Sequence, residues 1–313
     1  MMFNKLLFTL TATSLLTTVW LISNLVIEPI TTTVKVPDIN IHACVRTKDS
    51  VKFMREFLIY HVAQGINSFS IYDDSVKSDK EFFESFPNVI NYQHVNGIKI
   101  GNENHFILKC LSAAIMSGEY DYVLNMDDDE FLFSTVGETV GKHLVDNGYS
   151  WFKYNDCVSN ALYFFGTIKS NNSGYTTIDF VNRDRDVEGK DFYFFYRPYS
   201  KRLKKRIKKS IFKVPVNLTD KVDLISHFSK YIKTGVMIHG YSKNCTDQTL
   251  IKVAHYTRDD QELENRIKTF WSSVKGLRKR FSNEKSVYKY LKERNRTEVV
   301  DTRLRNKSKK IFN

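Results

Sequence analysis

The chain has 313 residues, 42% of them hydrophobic, and a formal net charge of +12. That length holds one large domain or two small ones, and 5 Pro and 13 Gly in so apolar a chain exclude a disordered or collagen-like protein. The positive balance admits nucleic acid, an anionic membrane or a phosphorylated ligand as partner, and by itself chooses none of them.

The first element is the uncharged segment 6–27, LLFTLTATSLLTTVWLISNLVI. A helix needs about 20 such residues to cross a bilayer. The stretch exceeds a signal-peptide core of roughly 7–15 residues, and no small-x-small cleavage site follows it. With Lys5 before it and Glu28 after it, the charge bias predicts a cytosolic N-terminus. The expected layout is a cytosolic tail 1–5, a transmembrane signal anchor 6–27, a stem 28–38 and a lumenal body. That describes a single-pass type II membrane protein facing the ER or Golgi lumen. Sequons at Asn171, Asn217, Asn244, Asn295 and Asn306 suit a glycoprotein in that compartment. Cys44, Cys110, Cys157 and Cys245 show no CxxC spacing, which leaves one disulfide, two or none open.

Beyond the stem, 39–45 alternates as a strand. Asp49 or Ser50 then caps a helix whose apolar positions Phe53, Met54, Phe57, Leu58 and Val62 recur at helical spacing and which Gly65 ends. A second strand, 68–72, runs into Asp73 and Asp74, and 89–92 reads as a third. An apolar helix over 106–116 stops at Gly118, and the strand 122–126 leads into four consecutive acids, Asp127 to Glu130. Strand alternating with helix predicts a parallel sheet, and ligands of such sheets bind beyond the carboxyl ends of the strands. Asp73, Asp74 and the acids at 127–130 all fall at such ends. The second half is less regular: a basic run KRLKKRIKK at 201–209, His255-Tyr256, a polar helix over 260–271 and a basic tail.

Carboxylates crowded between apolar residues repel one another, and a hard divalent cation offsets that repulsion. If 127–129 is extended, Asp127 and Asp129 converge on one cation and Asp128 points away. A solvated acidic turn is the alternative, and the close apolar flanks argue against it. An EF-hand is excluded by spacing.

The segment from Arg55, REFLIYHVAQGINSFSIYDDSVKSD, resembles the E(W/F)LxYHxxxGxxxFxIYDxxSxD stretch of glycosyltransferase family 92 and related GT-A-fold enzymes. YDYVLNMDDDEFLF is similar to that group's WxxxxDxDEF motif, Phe164-Phe-Gly166 with Ser173-Gly174 to its FGSxG element, and His255-Tyr256 with RDDQELENRIK to its HYxxRSxEExxxK segment. Val300-Asp-Thr-Arg resembles a late VxD element, so the likeness spans roughly 40–304. Arg46-Thr-Lys-Asp49 departs from the family's Lys-Asn-Glu-like turn, and the DxD here has Asp in its middle.

The resemblance implies an α/β, GT-A-like (Rossmann-related) catalytic domain over 39–275, a mostly parallel sheet flanked by helices, with a basic helical extension over 276–313. It implies a metal-dependent, inverting hexosyltransferase with Mn²⁺ or Mg²⁺, a UDP-sugar donor and a glycan acceptor, galactose being the leading sugar. Asp127 and Asp129 would hold the metal with His255, while Asp73 and Asp74 would meet the ribose or uracil. For those two a turn or helix cap competes evenly, and a structural role does so for His255. Glu130, Asp184 and Asp247 are candidate catalytic groups, alongside Asp179, Asp186 and Glu188, and sequence ranks none as the base. His61 reads as core. Trp151, Phe164 and Phe165 stack on a sugar or simply pack. The basic run lacks interleaved aromatics and a nucleic-acid motif, so it reads as a solvated or membrane-facing surface, with Lys208 or Lys209 in reach of donor phosphates. The competing readings are a two-metal nuclease or phosphatase built on Asp127, Asp129 and Glu130, and an inactive glycan-binding relative.

Overall fold

Strand β1 (Ile41–Thr47) is followed by helix α1 (Val51–Ala63), β2 (Ser68–Asp73), the short α2 (Lys80–Glu84), β3 (Val89–His94), α3 (Glu103–Ser117) and β4 (Tyr122–Asp127). These come from a computed structural model that describes residues 39–95, 103–165, 173–183, 208–233, 245–256 and 299–312. The expected anchor, the stem, the helix at 260–271, and Asp184, Asp186 and Glu188 lie outside the described residues. Among the described residues no helix is long and apolar enough to cross a membrane.

Strands β3, β2, β1 and β4 lie side by side in that order, every neighbour parallel. Alternation along β1 covers both faces: Ala43 and Val45 join Met54 and Phe57 of α1 in one core, and Cys44 joins Ile107, Leu111 and Ile115 of α3 in the other. Each fully buried Phe or Leu contributes about 2–3 kcal/mol of transfer free energy. Helix α1 ends as the sequence predicts. Gly65 takes φ +94°, which lets Gly65 N–H reach the carbonyl of Val62 and Ile66 N–H that of His61. Its start differs, because the Ser50 hydroxyl donates to the Lys48 carbonyl and makes no cap bond.

The second half corrects the expectation of a mostly parallel sheet. It comprises β5 (Glu130–Ser134), α4 (Val140–Trp151), β6 (Cys157–Phe165), α5 (Thr176–Asp179), β7 (Asn182–Arg183), β8 (Lys208–Lys213), α6 (Leu218–Lys233), β9 (Thr246–Tyr256), β10 (Val299–Val300) and α7 (Arg303–Phe312). Strand β8 enters between β4 and β6 and runs antiparallel to both. Antiparallel ladders also join β6 to β7, β7 to β10 and β5 to β9, and β9 alone runs parallel to β6. The sheet is therefore mixed. Strands and helices alternate here too, but among the described residues successive strands of this half do not become parallel neighbours.

Disulfides tie Cys44 of β1 to Cys110 of α3, and Cys157 of β6 to Cys245 just before β9. They close loops of 66 and 88 residues, each worth on the order of 4 kcal/mol in the chain-entropy account. The described part of 276–313 folds into the same body: β10 completes the sheet edge beside β7, and Leu304 of α7 is buried in the α1-side core.

Candidate active site

Strands β2, β1 and β4 end together. Thr47 pairs with Asp73 on one side of β1, and Arg46 pairs with Asp127 on the other. With neighbouring strands ~4.8 Å apart, Asp73 and Asp127 sit roughly 10 Å from each other along one edge.

Between β4 and β5 the chain makes a tight turn at Asp128 and Asp129, so the acidic run is not extended. The turn sends its four carboxylates to different partners. Asp128 points back under β1, where its Oδ2 accepts from the Thr47 hydroxyl at 2.9 Å and from Lys48 N–H at 3.4 Å. Glu130, 2% exposed, accepts the Asp127 N–H at 2.9 Å and lies 2.8 Å from Lys209 Nζ. Asp127 has Arg46 Nη2 at 3.6 Å from one oxygen and Lys209 Nζ at 3.5 Å from the other. Asp129 faces β9, with its Oδ1 3.7 Å from His255 Nε2 and its carbonyl accepting Tyr256 N–H. The β5–β9 ladder, which sets Glu130 opposite His255, fixes that last approach.

Burial pushes the Glu130 carboxyl up and Lys209 pulls it back, while Asp127 and Asp129 push it up further. Burial drags on the Lys209 ammonium, but Asp127 and Glu130 outweigh it and its pKa is raised. The ammonium is thus a fixed positive charge inside the corner. Arg46 and Lys209 lie against Asp127, and Lys209 lies against Glu130 as well.

Asp129 and His255 present a carboxylate and an imidazole side by side, a donor set that suits Mn²⁺ and other borderline divalent ions, with remaining positions left to substrate phosphates and water. Asp127 is not drawn into a compact trio with them. Among the described residues, the grouping of three ligand atoms within 4.8 Å of one another is His42, Cys44 and Cys110, two of which are joined in a disulfide.

The other expected residues are dispersed. Asp73 is fully buried and serves the turn, its oxygens accepting from Ser75 N–H and the Tyr92 hydroxyl. Asp74 stays at the edge, 3.3 Å from Lys48 Nζ. Asp247, near the start of β9, takes a hydrogen bond from Ser159. It pairs with Ser159 of β6 while His255 pairs with Phe164, five residues further along, roughly 17 Å, so it stands away from the acidic corner. Asp179 holds the Ser173–Gly174 backbone through both oxygens. Phe165 stacks on Tyr256 and Trp151 packs against the core, so both are packing residues. His61 is core, as its spacing predicts: Nδ1 donates to the Phe57 carbonyl and Nε2 accepts Leu132 N–H.

Three contributors escaped the sequence reading. Lys209 was one of two cations placed within reach of phosphates, yet it is buried among the acids. Arg46 appeared only as a departure from a motif. Glu56 accepts from Thr176 N–H, Thr177 N–H and the Thr177 hydroxyl, anchoring α5 to α1.

No protein-family model matches the chain, and no curated protein matches it. Among solved structures it is similar to S. aureus TarS 1-349, with 13% identity over 74% of this chain and 64% of that one and a TM-score of 0.37. The same TarS fragment in complex with UDP-GlcNAc gives 13% identity, 71% and 59% coverage, and a TM-score of 0.35. A 4-diphosphocytidyl-2C-methyl-D-erythritol synthase gives 11% identity, 66% and 92% coverage, and a TM-score of 0.31. This chain thus spans under two thirds of the TarS fragment's length. Likenesses this distant say nothing of the chemistry at the acidic corner.

Proposed function

We propose that the chain is a metal-dependent glycosyltransferase of GT-A-like fold that moves a sugar from a nucleotide-sugar donor to a glycan acceptor. The observation that carries this reading is the acidic corner at the shared ends of β1 and β4, where Asp129 and His255 come together beside Asp127 and Glu130. Asp129 and His255 would hold the cation. When bound, it acts as a Lewis acid that neutralises charge building on the diphosphate leaving group. The chain's own residues prepare that position. Asp128 locks the β1–α1 loop, and with it the backbone that carries Arg46 and Lys48. Both basic side chains are partly exposed at the strand ends and are placed to take donor phosphate oxygens. Asp74, beside Lys48, meets the nucleoside. The finer reading, drawn from the family resemblance, is an inverting enzyme with a UDP-sugar donor, galactose as the sugar, and a lumenal body on an N-terminal anchor.

The hydrolase reading needs Asp127, Asp129 and Glu130 to share two cations about 4 Å apart. Lys209 stands against Asp127 and Glu130 and fills that role with an ammonium. The deciding experiment incubates the full-length protein in detergent with Mn²⁺, a glycan acceptor mixture and a panel of UDP- and GDP-sugars. One donor should be consumed, with sugar appearing on acceptor. Binding of UDP with no transfer from any donor would favour the inactive-relative reading instead.

A further inference from the structure

Lys209 is an unusual resident of the corner. It is 5% exposed, its Nζ lies 2.8 Å from Glu130 and 3.5 Å from Asp127, and its backbone carbonyl accepts from buried Asn160. The antiparallel registers of β8 with β4 and β6 fix its place, so the ammonium belongs to the sheet and not to a mobile surface chain. Two of the four carboxylates therefore already have a cation between them.

We propose that Lys209 is the built-in cation of the acidic corner: it limits the site to one divalent ion and sets the affinity for that ion. This rests on the reading that Asp129 and His255 hold a divalent cation. Asp127 and Glu130 are close enough to share a second ion if the ammonium were gone. With Lys209 in place, an ion there would meet a like charge, and the ion at Asp129 feels one negative charge fewer. At an effective dielectric constant of about 20, one unit charge a few ångströms from a divalent ion changes its affinity roughly tenfold or more. Lys209 would therefore be a positioning and charge-setting residue that need not touch substrate.

The test is a charge series on the full-length protein, read as Mn²⁺ affinity and stoichiometry by electron paramagnetic resonance of the free ion, with and without UDP. Lys209→Arg keeps the charge and should bind one ion within a few-fold of wild type. Lys209→Met should bind Mn²⁺ at least tenfold more tightly or take up a second ion. Lys209→Met/Glu130→Gln removes one charge of each sign and should return to one ion at near wild-type affinity. A folded Lys209→Met variant with wild-type stoichiometry and affinity overturns the proposal. Should that variant not fold, the double variant decides: one ion at wild-type affinity upholds the charge role, and lost binding refutes it. If wild type binds no Mn²⁺ even with UDP, the metal reading of Asp129 and His255 fails. Lys209 is then judged by whether Lys209→Met opens a site at Asp127 and Glu130.

Discussion

If the proposed function holds, replacing each of the three aspartates in turn separates the metal ligand from the scaffold acids, because the turn sends each to different partners. Asp129→Asn preserves volume and removes the carboxylate facing His255. Two like charges ~6 Å apart interact by about 3 kcal/mol at an effective dielectric constant of 20, so losing one acid from this cluster should leave the metal-free melting temperature unchanged or slightly raised. Transfer should fall by about 10²–10⁴, the equivalent of roughly 3–5 kcal/mol of lost leaving-group stabilisation. Asp128→Asn keeps an oxygen for the Thr47 hydroxyl and should be mild in both measurements. Asp128→Ala strands a buried hydroxyl and should cost about 1–3 kcal/mol of stability, with activity following the loosened β1–α1 loop. Asp127→Asn leaves Lys209 paired with Glu130 and should fall between the extremes. The assays are initial rates with saturating Mn²⁺ and thermal melts of the metal-free proteins. Comparable losses of transfer in Asp129→Asn and Asp128→Asn would refute the division of labour and return the segment to a plain acidic turn.

Buried His42 and His61 give a pH dependence with a definite sign. Burial lowers His42 to about 4 and His61 to about 3, both below the unfolded value of about 6.5. The neutral rings therefore contribute stability fully present above pH ~6.5 and lost as pH falls towards 4, on the order of 3 kcal/mol each. Urea midpoints at several pH values check this, and His61→Gln should flatten the profile; identical slopes would contradict it. The proposed lumenal placement predicts a glycan on Asn217, which is exposed ahead of α6. Expressed in a eukaryotic host, the protein should stay in the membrane pellet after alkaline carbonate, and glycosidase should shift its mass in wild type more than in Asn217→Gln. A soluble product without sugar defeats that placement.

The parallel half was legible because its information is local. Period-3.6 and period-2 apolar patterns, with Gly65 and Gly118 at helix ends, mark its strands and its two long helices locally, whereas the short α2 carried no such pattern. The mixed half was not legible, because β8 owes its neighbours to pairings with β4 and β6 far away in sequence. A lysine in a run of nine residues rich in cations reads as solvated surface. Only its antiparallel seat between β4 and β6 turns Lys209 inward. Glu56 was hidden for the same reason, since its partners Thr176 and Thr177 lie 120 and 121 residues away. Asp128 illustrates a different failure. Alternation along an extended chain has it point away from its neighbours' target, and it does point away, but a turn directs it to Thr47.

The four acids, costly as a group, are tolerable as separate bonds. Asp128 takes a hydroxyl and a backbone N–H, Glu130 a backbone N–H and an ammonium, and Asp127 a guanidinium and the same ammonium. Each bond removes one carboxylate from the repulsion and holds one strand end in register. Asp129 instead turns towards β9, with its Oδ1 3.7 Å from His255 Nε2. A basic chain can therefore keep an acidic run between apolar strands: three of the acids tie strand ends and a loop together, and under the proposed function the fourth is the one that would meet the cation.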